Sequence, residues 1–216
     1  MIRTLLLDLD GTLVNTVPDL TAALNRLMWS RELAGFTQPE TASMVGDGVA
    51  RLVERAFAAR ARRPDPGAVS DFSADYGAHA AVESRPYPGV IAGLRVLIEE
   101  GWRLGVCTNK PEAAARSLLT GLGLDRCFGA IGGGDSFPVR KPDPRHLLVT
   151  LEAVGGCHQR AVMGGDHAND VAAASGAGLP CIFAAWGYGS PEMAQGAAAV
   201  AQDFTELMAI ARRLLG

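Results

Sequence analysis

Short apolar runs that end in small or polar residues recur along the chain. The runs at 4–7, 104–107 and 161–163 are almost wholly apolar, which is typical of parallel strands buried on both faces. Two weaker runs, at 127–131 and 180–184, predict further strands. The strand pattern therefore indicates a sheet with helices on both sides.

Amphipathic stretches lie between these runs. Residues 88–100 predict a helix that ends before Gly101. Its predicted apolar face carries Ile91, Leu94, Leu97 and Ile98. A second helix is predicted at 111–119, with Pro111 in its first turn. Strands alternating with helices predict an α/β fold, a doubly wound parallel-sheet (Rossmann-like) core.

This alternation is interrupted once, between Asn15 and about Ser84. The pattern there predicts three helices, at about 19–33, 49–62 and 68–81. The segments "NTVP" and "SRPYPG" flank this region, and their prolines favour stiff, non-helical connectors. We expect a core made of residues 1–14 and 85–216, with a small α-helical cap domain, residues 15–84, inserted after the first strand.

Composition changes this picture little. The chain has 216 residues, 48% hydrophobic and 20% charged, with a formal net charge of −3, which indicates neither a nucleic-acid partner nor a membrane partner. The apolar stretch before Asp8 is too short for a signal-peptide core, and four singly spaced cysteines predict neither disulfides nor a zinc site. We expect a cytoplasmic protein, monomeric or homodimeric.

Two carboxylates follow the first predicted strand. Asp8 and Asp10 lie two residues apart, hence on the same side of an extended chain, and their like charges favour a neutralising cation. The segment "GGDHAND" adds Asp166 and Asp170 after another predicted strand. Oxygen ligands of this kind suit Mg²⁺. A single D-x-D motif is, however, equally typical of a plain turn.

Two lysines stand out because the chain has 18 arginines and only two lysines, Lys110 and Lys141. A lysine in such a chain indicates a site that needs a compact point charge, such as a phosphate site. We favour Lys141, in "RKPDP", because Lys110 precedes Pro111 and is explained equally well as the start of a helix.

Polar residues also follow the strand predicted at 104–107. Thr108 and Asn109 alone are typical of a helix N-cap. In open parallel sheets, however, ligands bind beyond the carboxyl ends of the strands, where these residues, the lysine and the carboxylates should meet. Four separate segments placed at or beside strand ends favour one shared site.

These segments resemble the motifs of the haloacid dehalogenase superfamily of phosphatases. "DLDGTLVNT" is similar to its first motif, Thr108 to its second, Lys141 in "KPDP" to its third and "GGDHAND" to its fourth. Further stretches are similar to the phosphoglycolate phosphatase branch: "TVPDL", "VGDGVARLVERA", "RPYPGV" and "GGDSFPVRKPDP".

The resemblance implies roles for the carboxylates. Asp8 would attack phosphorus and form an aspartyl-phosphate, while Asp10 would protonate the leaving oxygen and then activate water. Mg²⁺ would be held by the carboxylates of Asp8 and Asp166 and by the backbone carbonyl of Asp10. Asp170 would lie beside the ion or bind it through water.

The resemblance also implies a phosphate-binding set. Thr108, the amide of Asn109, Lys141 and Mg²⁺ would hold the phosphate oxygens. Gly11 permits a sharp turn of the chain after the first motif, and we count it among the predicted phosphate-binding residues.

Specificity should lie in the cap, which closes over the core. The segment "VGDG" before Val49 offers N–H groups to a substrate carboxylate, and Arg51 follows closely. Asp47 is equally explained as an N-cap that would repel an anion.

Three positions depart from the family pattern. Asn15 stands where Asp is common, Gly164 replaces a larger apolar residue and His167 replaces a usual Ser. We expect Asn15 to affect the hinge to the cap. His167 is either a solvated loop residue or one that alters hydrogen bonding near Asp166.

Three functions stay open at this point. The first is a Mg²⁺-dependent phosphomonoesterase acting on 2-phosphoglycolate or a similar small phosphorylated metabolite. The second is a phosphosugar mutase that uses the same aspartyl-phosphate chemistry. The third is a non-enzymatic binding module that has kept the fold.

Overall fold

The computed structural model describes residues 2–216. Strands in this part of the chain are β1 (Thr4–Leu7), β2 (Val14–Asn15), β3 (Arg85–Pro86), β4 (Arg103–Cys107), β5 (Ala130–Gly132), β6 (Ala161–Gly165), β7 (Cys181–Ala184) and β8 (Ala199–Ala201). The helices are α1 (Val17–Trp29), α2 (Gln38–Ala42), α3 (Val49–Ala58), α4 (Ala68–His79), α5 (Val90–Glu99), α6 (Glu112–Gly121), α7 (Pro144–Ala153), α8 (Ala168–Ala177) and α9 (Phe204–Leu215).

Six strands form one parallel sheet, in the spatial order β5-β4-β1-β6-β7-β8. The chain builds outward from β1 to one edge and then returns to build on the other side. β1 therefore lies at the switch point, where the loops after β1, β4 and β6 meet and ligands of such sheets bind. The predicted doubly wound α/β core is confirmed.

The packing of the leucines of β1 explains why its sequence is a continuous apolar run. Leu5 and Leu7 pack into a cluster with side chains of α5 and α9, whereas Leu6 packs into a second cluster with side chains of α7 and α8. Successive side chains of a strand point to opposite faces, and here helices cover both faces.

The apolar face predicted for the helix near residue 90 is partly wrong. Leu94 and Leu97 are buried, but Ile91 and Ile98 are 43% and 44% exposed. The buried face instead runs through Val90, Gly93, Leu94 and Leu97. Gly93 allows the close approach, since a side chain there would collide with Phe204 of α9.

Several short elements differ from the prediction. The run at 127–131 contains β5 only at its end, after a single helical turn at Asp125–Cys127. The strands β2, β3 and β8 and the helix α2 were not predicted. Elements of two to five residues contain too few positions to show a period, so the apolar pattern alone does not identify them.

Helices α1 to α4 lie between β2 and β3, which pair antiparallel with each other. They enclose a hydrophobic cluster of their own, built around Leu24, Phe57 and Phe72. The buried carboxylate of Asp19 joins the first turn of α1 to the start of the second connector by accepting hydrogen bonds from Glu83 and Ser84. This separate cluster supports the proposed division into core and cap.

Every helix in the described part of the chain is too short or too polar to cross a lipid bilayer.

Candidate active site

Asp8 directly follows β1 and is held by backbone geometry. Its N–H donates to the carbonyl of Gly164 at 2.9 Å, which extends the ladder to β6, and its Oδ1 accepts from the N–H of Leu9 at 2.7 Å. Gly11 then turns the chain away with a φ of +86°, and a side chain at Gly11 would overlap the carboxylate of Asp166. The turn therefore requires glycine for both conformation and space.

Three buried carboxylates meet at this point. Asp8, Asp166 and Asp170 each offer an oxygen, and these oxygens lie within 4.8 Å of one another. Asp170 lies in the first turn of α8, where its Oδ2 accepts from the N–H of His167 at 3.0 Å. Like charges this close are unfavourable without a cation.

Lys141 is the cation that the structure places beside two of these groups. Its Nζ lies 3.1 Å from Asp8 Oδ1 and donates to Asp170 Oδ1 and to the carbonyl of Cys107, each at 2.6 Å. Burial disfavours the charged form, but Asp170 and Asp8 outweigh burial and raise the pKa of Lys141 above its usual range. Lys141 is therefore a fixed positive charge beside the candidate nucleophile.

Asp166 has no such partner. Its carboxylate accepts from Thr12 Oγ1 at 2.7 Å and from the N–H of Tyr188 at 2.8 Å, and no lysine or arginine among residues 2–216 forms an ion pair with it. Burial, together with the charges of Asp8 and Asp170, raises the pKa of Asp166 to about 8. Three buried carboxylates against one lysine leave an excess of negative charge, so the donor set fits a divalent cation with oxygen preference.

The structure corrects the reading of Lys110 as only a helix start. Its Nζ donates to Asp10 Oδ1 at 3.0 Å and to Tyr76 Oη at 2.8 Å. Burial disfavours its charge, but Asp10 and Tyr76 outweigh that effect and raise the pKa of Lys110 above its usual range. Each of the two lysines therefore holds one carboxylate of the first motif, Lys141 on Asp8 and Lys110 on Asp10.

Thr108 and Asn109 leave β4 at the same edge of the sheet. The buried Thr108 donates its N–H to Gly132 at 2.9 Å. The Nδ2 of Asn109 donates at 3.0 Å to the carbonyls of both Gly46 and Lys141. Asn109 thus joins the cap to the loop that carries Lys141.

A pocket lies between cap and core. The core contributes Asp8, Asp10, Thr108, Asn109, Lys110, Pro111 and Ala114. The cap contributes Leu20, Val45, Gly46, Gly48, Val49, Leu52 and Tyr76. The candidate nucleophile is therefore reached from a small space whose cap side is mostly apolar.

Arg51, a predicted site residue, lies neither at this pocket nor at the carboxylate cluster. Its side chain is 57% exposed and pairs with Glu54 one turn along α3. Asp47 is not an N-cap either, since Gly48 occupies that position, and its carboxylate instead pairs with Arg55 and accepts from Asn169. Val49 and Leu52, one helical turn apart, form the face of α3 that lines the pocket, and Arg51 is not on that face.

The loop after β7 braces this site. Gly187 and Gly189 lie so close to Asp166 that a side chain at either would overlap it. The Tyr188 hydroxyl donates to Asn15 Oδ1 at 3.0 Å and accepts from the N–H groups of Thr16 at 2.7 Å and Val17 at 3.2 Å. Tyr188 thus links Asp166 to the first connector of the cap.

His167 and Gly164, the other two departures from the family pattern, are explained by their local contacts. His167 is the N-cap of α8, and its Nδ1 accepts from the N–H of Asn169 at 3.2 Å. It is therefore bonded within the structure rather than a solvated loop residue. Gly164 packs against Leu7 and Leu207, each 3.0 Å from where a Cβ would stand, so a larger residue would displace them.

Replacing Tyr188 by Phe should destabilise the hinge. The ring and the backbone bond to Asp166 remain, but two N–H groups at the start of α1 lose their acceptor. We expect the free energy of unfolding to fall by about 1–3 kcal/mol, measured by urea denaturation. Amide hydrogen exchange at Thr16 and Val17 should accelerate. Unchanged stability together with unchanged exchange would contradict this account of the hinge.

Comparison with known proteins agrees with the motifs. The family model for haloacid dehalogenase-like hydrolases matches residues 2–178. A phosphoglycolate phosphatase of Agrobacterium fabrum is 44% identical over 185 residues, covering 84% of this chain and 79% of the relative. A phosphoglycolate phosphatase of Rhodospirillum rubrum is 43% identical over 216 residues, covering 96% of this chain and 90% of the relative.

A solved structure agrees over the whole fold. The crystal structure described as a predicted phosphoglycolate phosphatase from Haemophilus somnus superposes with a TM-score of 0.89, at 29% identity and covering 97% of each chain. Because the family model spans most of the sequence and the relatives align over most of their own length, this chain belongs to the haloacid dehalogenase-like hydrolase family.

Proposed function

We propose that the protein is a Mg²⁺-dependent phosphomonoester hydrolase that works through an aspartyl-phosphate on Asp8. One observation carries the proposal: Asp8 faces the pocket while Lys141 and two further carboxylates surround it. This arrangement keeps an ionised oxygen beside a place where a phosphate dianion can be neutralised.

In the first step an oxygen of Asp8 attacks phosphorus, and the bond between phosphorus and the leaving oxygen breaks. Asp10 gives its proton to that oxygen. Lys110 contacts both oxygens of Asp10 and so holds its carboxyl group in place. Lys141, the Thr108 hydroxyl and the amide of Asn109 bind the phosphate oxygens, with Gly11 leaving room beside them.

In the second step Asp10 takes a proton from water, whose oxygen attacks the phosphorus of the aspartyl-phosphate. The bond between phosphorus and Asp8 breaks, which releases inorganic phosphate and restores the carboxylate. The cap restricts access to the pocket, so that other nucleophiles do not compete with the positioned water.

The cation would be held by the carboxylates of Asp8 and Asp166 and by the carbonyl of Asp10, with Asp170 beside it. When bound, Mg²⁺ neutralises charge on both the phosphate and the carboxylates. The excess of buried negative charge around Asp166 supports this assignment.

We infer 2-phosphoglycolate as the substrate. The relatives from Agrobacterium fabrum and Rhodospirillum rubrum carry the name phosphoglycolate phosphatase, and the pocket is small with a largely apolar cap side. A compact phosphorylated acid suits such a space better than a sugar with several hydroxyls, because an apolar wall leaves hydroxyls without partners.

Phosphate release from a panel of substrates tests this function. The panel contains 2-phosphoglycolate, sugar phosphates, nucleotides and pyrophosphate, with Mg²⁺ or with chelator. We expect the highest kcat/KM for 2-phosphoglycolate and loss of release with chelator. Conversion of a sugar phosphate to its isomer without net phosphate release, stimulated by a sugar bisphosphate, would instead identify a mutase.

Metal binding should also change the pH dependence of stability. Without a cation, the pKa of Asp166 is raised to about 8 in the folded protein, against about 4 in an unfolded chain. The folded state then binds more protons than the unfolded state between these values, so its stability falls as the pH rises through this range.

Mg²⁺ favours the ionised form of Asp166 and should cancel that loss. We therefore expect the increase in Tm caused by Mg²⁺ to be larger at about pH 8 than at about pH 5. Calorimetry at both pH values measures it, with Asp166→Asn as the control that responds little. Equal increases at both pH values would count against this role for Asp166.

A further inference from the structure

Tyr76 and Lys110 form a polar pair on a pocket wall that is otherwise largely apolar. Tyr76 comes from α4 of the cap and Lys110 from the loop after β4. The Lys110 ammonium donates to Tyr76 Oη at 2.8 Å and lies 4.3 Å from the centroid of its ring. Both residues line the pocket, and only 2% and 6% of their surface is exposed.

The hydroxyl proton of Tyr76 has no acceptor within residues 2–216. A lysine ammonium only donates, so the bond from Lys110 uses a lone pair of Oη and leaves the O–H free. Buried hydroxyl donors are nearly always bonded. Because Tyr76 lines the pocket, a bound molecule is in position to supply the acceptor.

The position of the pair indicates which part of a substrate it meets. Lys110 Nζ lies 3.0 Å from Asp10 Oδ1, and Asp10 is the group that protonates the leaving oxygen in the proposed function. A group one carbon beyond that oxygen therefore lies beside Lys110 and Tyr76. An ammonium together with a hydroxyl donor suits an anionic oxygen acceptor.

We propose that the free Tyr76 hydroxyl donates to the carboxylate of the substrate beside the positive charge of Lys110, and that this pair selects phosphorylated 2-hydroxy acids against neutral phosphate esters. This inference rests on the proposed phosphatase activity. The neighbouring side chains Leu20, Val49, Leu52 and Ala114 offer no hydrogen bonds to a longer polar chain. Because Tyr76 belongs to the cap and Lys110 to the core, the subsite is complete only with the cap seated.

Tyr76→Phe is a clean test variant. It keeps the ring, which stacks on Phe72 with a centroid separation of 5.9 Å, and it keeps the ring face beside Lys110, but it removes the free donor. The two substrates compared are 2-phosphoglycolate and 2-hydroxyethyl phosphate, which replaces the carboxylate by a neutral hydroxymethyl group. Where the neutral ester turns over too slowly, its inhibition constant against 2-phosphoglycolate replaces kcat/KM.

We expect Tyr76→Phe to lower kcat/KM for 2-phosphoglycolate by about tenfold or more, as for a hydrogen bond to a charged group, and to leave the neutral ester unchanged. Lys110→Met should lower both, because it also releases Asp10, but 2-phosphoglycolate more. An equal loss for both esters in both variants, or no loss in Tyr76→Phe, would overturn the carboxylate subsite. Wild-type protein that releases phosphate from neither ester would instead overturn the proposed function.

Discussion

Asp8→Asn should abolish turnover. An amide oxygen is a poor nucleophile toward phosphorus, and no other carboxylate of the cluster lines the pocket as Asp8 does in the described residues. We expect kcat for 2-phosphoglycolate to fall on the order of 10⁴-fold or more. Phosphate release over long incubations with Mg²⁺ measures the residual rate.

The same variant separates chemistry from folding. Together with burial, the negative charge of Asp8 raises the pKa of Asp166. Removal of that charge therefore relieves repulsion between the two carboxylates in the metal-free protein. Lys141 keeps its bond to Asp170. We expect Asp8→Asn to have a metal-free Tm equal to or above that of the wild type, and an inactive variant with a much lower Tm would not support the role of Asp8.

Lys141→Met should lower both stability and activity. The substitution leaves Asp8 and Asp170 buried without their cation, and breaking a buried ion pair from one side costs about 3–5 kcal/mol. We expect a metal-free free energy of unfolding lower by that amount in urea denaturation. Loss of the fixed charge beside phosphate should also lower kcat by roughly 10²–10³-fold.

Two controls sharpen this prediction. Arg145→Met, in the same segment, breaks only an exposed pair with Asp143 and should change stability by less than about 1 kcal/mol. The double variant Lys141→Met, Asp170→Asn removes both charges of the Lys141–Asp170 pair and should regain part of the stability but none of the activity. A stable, active Lys141→Met protein would show that this lysine serves neither purpose.

The sequence predicts the elements whose burial pattern is extreme. β1, β4 and β6 are covered on both faces, so their residues are apolar without a break and predict strands with nearly correct ends. The buried face of an amphipathic helix is harder to predict, because two neighbouring rows of apolar residues can each fit the helical period. Ile91 and Ile98 fit the same helical period as the buried Leu94, and only the position of α9 against Gly93 decides which stripe is buried.

The candidate site shows a similar division. Residues that follow predicted strands, such as Asp8, Thr108 and Asp166, are brought together because the parallel sheet aligns the strand ends. Contacts between cap and core depend on how two separately packed parts meet, which no local pattern records. Arg51 was therefore wrongly placed at the pocket, and Tyr76 and Tyr188 were not identified.

Lys110 differs from these residues, because the sequence did contain an indication that it belongs to the site. The chain uses arginine almost everywhere, and both of its lysines are buried against carboxylates. The rarity of lysine pointed to both positions, while the following proline gave Lys110 a simpler explanation. The structure shows that the two explanations are compatible, since Lys110 binds Asp10 just before α6 begins.

Trapping the covalent intermediate tests the central claim most directly. Borohydride reduces an aspartyl-phosphate to homoserine, so wild-type protein quenched during turnover of 2-phosphoglycolate with Mg²⁺ should carry homoserine at position 8, as identified by peptide mass spectrometry. Protein without substrate, and the Asp8→Asn variant, should carry none. Two results would contradict the proposed mechanism. One is full phosphate release with residue 8 always recovered as aspartate, and the other is reduction at a carboxylate other than that of Asp8.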